Sequence, residues 1–515
     1  MMDHYDWVIV GSGFGGSVSA LRLVEKGYRV LLVEKGRRYT PQDFPRSSLD
    51  LRNFLWRPEV GLRGPFQMSF FRHLTVYSGV GVGGGSLVYA NTLPIPQQDF
   101  FEQGSWAGLA DWQAELQPHY GTARRMLGAT ENPRFTAPDH ALKAVAKAIG
   151  REEHFGPTQV AVHFGEQPGR EVPDPYFDGE GPARRGCTFC GGCMTGCRVG
   201  AKNTLDKNYL YLAEKKGLTL LAETTADVVQ AHDGGYRLEL VNTFGLRRRR
   251  RTVTADRVVL SGGVLGTVDL LLRMREEGHL PELSDEVGRQ VRTNSEALIG
   301  VTTRRKDLDL SEGIAISSIL HTDEHSHLEP VRYAAGTGGL FRAMVLPHAP
   351  GSTLIQRLAA SARTLLANPR HAASAALVGD WAKATTILLY MRTLEGTMAF
   401  ERGRMGLRSN VTDGASPAAF IPEATALADR MAKELDGFTV SMFMETLLGT
   451  PSTAHVLGGA CIGATPHEGV IGPDHQVHGH PGLYVCDGSA VSANPGVNPS
   501  LTITAMSERA MAGIA

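Results

Sequence analysis

The cysteines of this chain have a spacing that could hold an inorganic cofactor. Four of the six lie at Cys187, Cys190, Cys193 and Cys197, which is the C-x2-C-x2-C-x3-C spacing of bacterial ferredoxins. The proline that usually follows this run is replaced by Arg198. Thiolates this close would repel one another unless a metal compensated their charge. The spacing predicts a 4Fe–4S or 3Fe–4S iron–sulfur cluster, with a structural zinc or free redox-active thiols as alternatives.

A glycine-rich turn near the N-terminus could bind phosphates. Gly11, Gly13 and Gly16 follow the short strand Asp6–Val10 and open a helix, which is the setting of the G-x-G-x-x-G turn in dinucleotide-binding units. Glu34 ends the second strand, 18 residues after Gly16, where an acid accepts a hydrogen bond from ribose. The predicted dinucleotide contacts in this unit are Gly11, Gly13, Phe14, Gly15, Gly16 and Glu34. The motif alone does not separate NAD from FAD.

Four further segments are rich in glycine or carry single polar residues between short apolar runs. They are the glycine loop Ser78–Leu87 with the following Val88–Asn91, the histidine segment His455–Gly459, the strand and turn Leu483–Ser489, and the asparagine segment Gly496–Thr504. The glycines of the first segment would let bare backbone pass against a planar ring.

With these segments the chain resembles the glucose–methanol–choline (GMC) oxidoreductases, and within them the actinobacterial and mycobacterial branch of cholesterol oxidases. The most similar stretches are Gly11–Arg37, Gly79–Leu93, Cys187–Leu212 and Thr453–Glu508. The resemblance implies FAD as the cofactor, covered by the loop 78–93. It implies His455 and Asn498 as catalytic residues that face the substrate hydroxyl beside the flavin. The other implied FAD contacts are Gly79, Gly83, Gly84, Gly85, Ser86, Asn91, Val228, Asp487, Gly488, Asn498 and Pro499.

The catalytic base is not assigned by the sequence. A histidine at position 455 could orient or deprotonate a hydroxyl because its pKa lies near working pH, and Asn498 could donate a hydrogen bond to the substrate oxygen. The well-studied sterol oxidases use a glutamate from the substrate domain as the base, and here the sequence departs from them, because no glutamate aligns clearly with theirs. Glu296, Glu329 and Glu445 are the candidates, and the sequence does not separate them.

The resemblance predicts an enzyme that transfers a hydride from an alcohol carbon to FAD. The favoured substrate is a hydroxyl on a hydrophobic ring compound, a sterol (3-hydroxysteroid) or a terpenoid. One alternative is an iron–sulfur dehydrogenase for another alcohol that passes electrons to a protein or quinone in place of oxygen. An alternative of another class is a redox-sensing or electron-transfer flavoprotein.

The elements that must position these residues predict an α/β fold with two discontinuous domains. A Rossmann-like FAD-binding domain is expected from residues 1–45, 200–296 and 468–515. A substrate domain with a mainly antiparallel sheet is expected from 46–199 and 297–467, including the loop 78–93 and the cysteine segment 187–197. Within the first domain, Leu218–Val229, Tyr236–Val241 and Val253–Leu260 read as a strand meander.

The composition of the chain limits which partners, such as nucleic acid or a membrane, it is expected to bind. The formal net charge of −1 gives no overall field for nucleic acid. The arginine run 247–251 between two strands is expected to be a solvated hairpin tip. A strand begins by Trp7 with no leader before it, and no apolar run reaches the roughly 18 residues needed to span a bilayer. These features predict a cytoplasmic protein that touches a membrane at most transiently.

Overall fold

Parallel strands from the two ends of the chain form the centre of the first large sheet. The computed structural model describes residues 3–245, 249–367, 369, 378–404, 406–414 and 417–515, so Arg247 and Arg248 of the arginine run lie outside the described residues. In spatial order the strands are Thr219–Leu221, Val30–Val33, Asp3–Val10, Arg250–Leu260, Gly235–Asn242 and Thr224–His232, with Leu483–Val485 also paired to Arg250–Leu260. The first four and Leu483–Val485 are parallel, whereas the last two pair antiparallel.

One predicted strand is two strands. The segment 218–229 breaks at Glu223, whose φ of 51° is left-handed. Thr219–Leu221 pairs with Val30–Val33 at one edge, and Thr224–His232 lies at the opposite edge as half of a hairpin. A period-2 apolar pattern continues across the break, so the pattern alone could not show it.

The second large sheet is antiparallel throughout. In spatial order its strands are Val345–Pro347, Gly437–Met442, Ala297–Thr303, Thr385–Arg392, Ser326–Val331, Ser318–His321 and Phe155–Pro157. Successive side chains alternate between faces. Leu320, Leu328 and Leu388 pack on one face against the helices Ala137–Ala148 and Pro422–Glu434, which leaves the other face for the site described below.

Short sheets join the two large ones. Phe66–Phe70 and Thr75–Gly79 form a hairpin to which Ser452–Thr453 adds in parallel. The remaining pairs are Gly396–Gly403 with Gly406–Gly414, Glu171–Val172 with Arg184–Arg185, Trp56–Arg57 with Leu62–Arg63, and Thr130–Glu131 with Gln159–Val160. The strand before the glycine loop therefore lies beside the segment that precedes His455.

The α-helices cover the sheets. Within the described residues they are Phe14–Glu25, Leu51–Phe54, Asp99–Glu102, Trp112–Met126, Ala137–Ala148, Tyr209–Lys215, Gly263–Glu276, Gly339–Met344, Leu354–Ala367, Trp381–Ala384, Pro422–Glu434 and Ser500–Ala512. Ser500–Ala512 packs between Phe14–Glu25 and Trp112–Met126, which brings the two ends of the chain together. Among the described residues, no helix has the length and apolarity needed to cross a membrane.

The predicted class, a Rossmann-like unit combined with an antiparallel sheet, is confirmed. The residue boundaries of the two domains stay a prediction.

Candidate active site

One cavity of about 590 Å³ runs from the N-terminal glycine turn to the open face of the second sheet. Of the residues singled out from the sequence, those on its wall are Gly11, Gly13, Phe14, Gly15, Glu34, Gly79, Gly84, Gly85, Glu296, His455, Asp487, Gly488, Asn498 and Pro499. The two ends of the chain and its middle thus meet around a single space.

The glycine turn packs against neighbouring backbone on one side and leaves space on the other. A Cβ on Gly15 would lie 1.6 Å from the carbonyl oxygen of Cys486, so any side chain there would separate the first helix from the C-terminal segment. A Cβ on Gly13 would meet nothing within 4 Å. The backbone at Gly13 is therefore open for a ligand to approach closely.

Glu34 links the glycine turn to the covering loop. Its carboxylate accepts hydrogen bonds from the Ser12 backbone N–H (3.1 Å), the Ser12 hydroxyl (2.7 Å) and the Gly36 N–H (2.8 Å). The Ser12 oxygen in turn accepts the N–H of Gly83 at 3.0 Å. A Cβ on Gly84 would lie 2.7 Å from the Cα of Gly13, so the loop lies directly over the turn.

Asp487 fixes the start of a second helix at the cavity. Its carboxylate accepts the Gly263 N–H at 2.9 Å and the Thr267 hydroxyl at 2.6 Å. Burial raises the pKa of Asp487, and hydrogen bonds from Ser489 and Thr267 oppose that rise. The helix Gly263–Glu276 thus presents its N-terminus to the cavity, where anionic groups are stabilised.

The residues present fit an FAD molecule. Asn91 lies just behind the cavity wall, between the wall residues Ala90 and Thr92, with a left-handed φ of 70°. Its side chain is fully buried, and neither its amide nitrogen nor its oxygen has a hydrogen-bond partner among the described residues. Buried polar atoms are rarely left unpaired, so an unpaired amide beside the cavity wall fits a cavity that takes a polar cofactor.

His455 is held by Glu296. The two side chains meet at 2.8 Å between Nδ1 and Oε2, and both are largely buried. The other carboxylate oxygen of Glu296 accepts the Thr453 hydroxyl and the Ala454 N–H. Because a carboxylate can only accept, Nδ1 carries a proton and Nε2 is left for the cavity.

Glu329 is a buried carboxyl without a hydrogen-bonding partner. It is fully buried, and neither oxygen has a partner within hydrogen-bond distance in the described part of the chain. Burial raises its pKa to about 8; the neighbouring Asn498 amide opposes the rise and the charge of Glu296 adds to it. Val331, two residues along the strand and on the same face, lines the cavity, so the Glu329 carboxyl lies just behind the wall, beside Asn498.

The third candidate base is held differently. Burial also raises the pKa of Glu445 to about 8, but its carboxyl is hydrogen-bonded by Ser452 and Ser441 and is not on the cavity wall. Asn498, by contrast, is on the wall, and its Oδ1 has no partner among the described residues.

Five of the predicted contacts do not reach the cavity wall. Gly16, Gly83, Ser86, Asn91 and Val228 lie behind it. The edge strand that carries Val228 instead places Thr224, Thr225 and Ala226 on the wall.

Residues that the sequence did not single out also line the cavity. They are chiefly Ser12, Lys35, Gly262, Gly263, Gly266, Asp269, Arg273 and Ser500. A signal for part of this group was present, since a second glycine turn and helix follow the strand that ends at Leu260.

The four cysteines do not form the predicted metal site. Cys187 and Cys193 are buried, Cys197 is half-buried and Cys190 is exposed. Over the described ranges, which include this whole segment, no three His, Cys, Asp or Glu side chains are grouped so as to hold a metal ion. Burial raises the pKa of the Cys193 thiol to about 11. The structure supports neither the iron–sulfur cluster nor the zinc alternative, because spacing along the chain did not make the sulfurs converge.

The cysteine segment instead joins the covering loop. The buried Lys202 ammonium donates to the carbonyls of Leu87 (3.1 Å), Tyr89 (2.8 Å) and Cys193 (2.8 Å). Burial lowers its pKa to about 7. Met194 reaches the cavity wall, so this segment supports the loop and contributes an apolar contact.

The chain belongs to the GMC oxidoreductase family. Family models described as GMC oxidoreductase match residues 182–275 and 379–507, and one described as an NAD(P)-binding Rossmann-like domain matches residues 9–41. The chain is an FAD-dependent alcohol oxidoreductase, as this family and the relatives below indicate.

Two curated relatives match nearly end to end. The chain is 45% identical to a cholesterol oxidase of Mycobacterium tuberculosis over 526 aligned residues, covering 99% of this chain and 91% of that protein. It is 42% identical to a cholesterol oxidase of Acinetobacter baumannii, covering 99% and 94%. Among solved structures, pyridoxine 4-oxidase from Mesorbium loti has a TM-score of 0.62 at 15% identity, covering 98% of both chains. The last similarity concerns the fold alone.

Proposed function

We propose that this enzyme oxidises the ring hydroxyl of a sterol or a similar hydrophobic alcohol to a carbonyl. The observation that carries the proposal is the composition of the cavity around His455, Asn498 and the Glu329 carboxyl behind them. The neighbouring wall is built from aromatic and aliphatic side chains, which are Phe66, Tyr333, Phe341, Trp381, Ile387, Leu389, Val331, Val440 and Met442. Such a wall binds a rigid apolar ring system and leaves few polar groups to fix its hydroxyl. Both near-full-length relatives are cholesterol oxidases.

The proposed roles follow from the hydrogen bonds at the polar end. FAD, when bound, accepts the hydride from the alcohol carbon. Glu329 takes the hydroxyl proton, since its raised pKa lies near working pH and its oxygens are uncommitted. His455, held through Nδ1 by Glu296, turns Nε2 towards the hydroxyl oxygen, and the Asn498 amide holds the same oxygen from the other side.

The same residues would hold FAD as the sequence predicts. The pyrophosphate would lie against the Gly13 backbone and the two helix N-termini, and the ribose against Glu34. The loop 78–93 would cover the ring. Oxygen is the proposed electron acceptor, as in oxidases.

The substrate is tested by anaerobic bleaching of the bound flavin. A 3-hydroxysterol is expected to reduce the flavin at least roughly 100-fold faster, per unit concentration, than a linear long-chain alcohol, because matched apolar contacts are worth about 10- to 200-fold each. In air, each carbonyl formed should be matched by one hydrogen peroxide. Equal rates with the linear alcohol, or no bleaching by any sterol, would contradict the proposal.

The cofactor site is tested by adding one methyl group at Gly13. G13A is expected to fold normally, because a Cβ there meets no protein atom within 4 Å, but to bind FAD at least roughly tenfold more weakly because the Cβ would occupy the space of the pyrophosphate. Flavin fluorescence titration of apoprotein measures this. G121A is the matched control, since that helical glycine also has open space at its Cβ. Unchanged FAD affinity in G13A would place the pyrophosphate elsewhere.

A further inference from the structure

Three histidines lie side by side across the edge of the second sheet. His321 is directly opposite His327 in the hairpin of neighbouring strands. The outermost strand begins at Phe155, which pairs with Leu320, and His154 ends the 3-10 helix just before it, where its charge acts on His321. Directly opposite residues share a face of a sheet. We refer to His154, His321 and His327 as the histidine ladder.

The inner end of the ladder meets the candidate base. Glu329 lies two residues beyond His327 on the same face, and His327 Nε2 is 3.8 Å from Glu329 Oε1. Neither atom has another hydrogen-bond partner in the described part of the chain. The separation exceeds a hydrogen bond by about 1 Å, a gap that a small side-chain rotation or one water closes.

The ladder runs from the interior to the surface. His327 is 2% exposed, His321 is half-buried, and the His154 side chain is 39% exposed. The rings of His327 and His321 are 5.8 Å apart between centroids. His154 ends the path beside Glu153, whose carboxylate is 3.5 Å from its Nε2.

A buried base needs such a path. An apolar alcohol that fills the cavity displaces water from it, so the proton taken up by Glu329 has no direct way to solvent. We infer that the histidine ladder carries protons between Glu329 and solvent. This inference rests on the proposed role of Glu329 as the base.

The transfer balances at every step. Oxidation breaks the substrate O–H bond, whose proton joins the Glu329 carboxylate, and the C–H electron pair leaves as hydride to FAD. The carboxyl proton then passes to His327 Nε2. Each imidazole accepts a proton at one nitrogen and releases one from the other, so the ladder ends each turnover neutral and Glu329 is again ionised.

The surroundings of the ladder favour neutral histidines, so a proton passes through the ladder and does not stay on it. Burial lowers the pKa of His327 to about 3, with the charges of His321 and His455 adding to the effect. Burial also lowers the pKa of His321, reinforced by His154 and Arg151. Because burial lowers the pKa of His327 and raises the pKa of Glu329, a proton rests on the Glu329 carboxyl and only passes through His327.

The test compares proton release with flavin reduction in one anaerobic turnover. The holoenzyme is mixed with sterol in weak buffer containing a pH-indicator dye, above pH 8, where Glu329 is ionised. In H327Q and H321Q, which keep the volume but cannot carry the proton, flavin reduction is expected to stay within about twofold of wild type. Proton release is expected to lag at least roughly tenfold. Added imidazole should restore release in H321A, because that position is half-buried.

The control is H480Q. His480 is also a buried histidine whose Nε2 has no partner among the described residues, but it lies outside the second sheet and its charged neighbour is Glu282. It should behave as wild type. Proton release that keeps pace with flavin reduction in both H327Q and H321Q would overturn the ladder. Failure of the base itself would be seen separately, as normal flavin reduction in E329Q.

Discussion

Replacing Glu329 by glutamine is expected to lower the rate of flavin reduction by the alcohol by roughly 10²- to 10⁴-fold, the usual contribution of a general base. Glutamine keeps the shape of the side chain but cannot accept the proton. FAD should remain bound, because the residues around the proposed pyrophosphate and ribose are unchanged. Anaerobic stopped-flow reduction, with the flavin spectrum of the resting enzyme as a check on loading, measures the effect.

The pH dependence separates Glu329 from other buried acids. The carboxyl is a base only when ionised, and burial raises its pKa to about 8. The wild-type rate should therefore rise with pH and level off above about 8. This rise should vanish in E329Q. If the remaining rate of flavin reduction in E329Q still rose with pH in the same way, the titrating group would be a residue other than Glu329.

E445Q is the matched control for this prediction. The pKa of Glu445 is raised to a similar value by burial, but serine hydroxyls and backbone groups hydrogen-bond its carboxyl. We expect E445Q to reduce its flavin within about threefold of wild type.

Wild-type reduction in E329Q together with a large loss in H455A would identify His455 as the base instead.

Replacing His455 by alanine is expected to lower flavin reduction by roughly 10²- to 10³-fold with FAD retained, the usual cost of removing one group that stabilises a developing charge on oxygen. His455 is on the cavity wall with Nε2 free for the hydroxyl. The loss should lie in the limiting reduction rate more than in the apparent substrate affinity, because the apolar walls remain. An H455A enzyme that reduced its flavin at the wild-type rate would remove His455 from the chemistry.

Glu296 is expected to act through His455. In E296Q the amide can still meet Nδ1 but cannot fix its proton there, so the imidazole tautomer is no longer set. The expected loss is smaller, roughly 10- to 100-fold. In the double variant E296Q/H455A, the Glu296 substitution should lower the rate of flavin reduction little further than H455A does alone. Independent, multiplying losses would show that Glu296 acts on something other than the histidine.

Local patterns determined the dinucleotide unit. The strand, glycine turn, helix, second strand and Glu34 are specified by contacts between residues near in sequence, and the structure has them as strands Asp3–Val10 and Val30–Val33 around the helix Phe14–Glu25. The segments near both ends of the chain that resemble GMC oxidoreductases likewise identified the family and its cofactor, FAD. These inferences held because each depends on a short run of residues whose spacing fixes its own geometry.

Packing decided what the same patterns could not. The left-handed backbone at Glu223 sends two halves of one apolar run to opposite edges of a sheet. The cysteine spacing counted residues along the chain, but metal binding needs sulfurs that converge in space, and in the described structure they form no such group.

Tertiary structure also gives the three glutamates different surroundings. Glu296 is committed to His455, which is 159 residues away in the chain. Glu445 is hydrogen-bonded by serines, and Glu329 alone among the three has both oxygens unpartnered in the described structure. All three are carboxylates with similar sequence signals. Their surroundings differ because burial and hydrogen bonding are set by strands and loops that meet only in the folded chain.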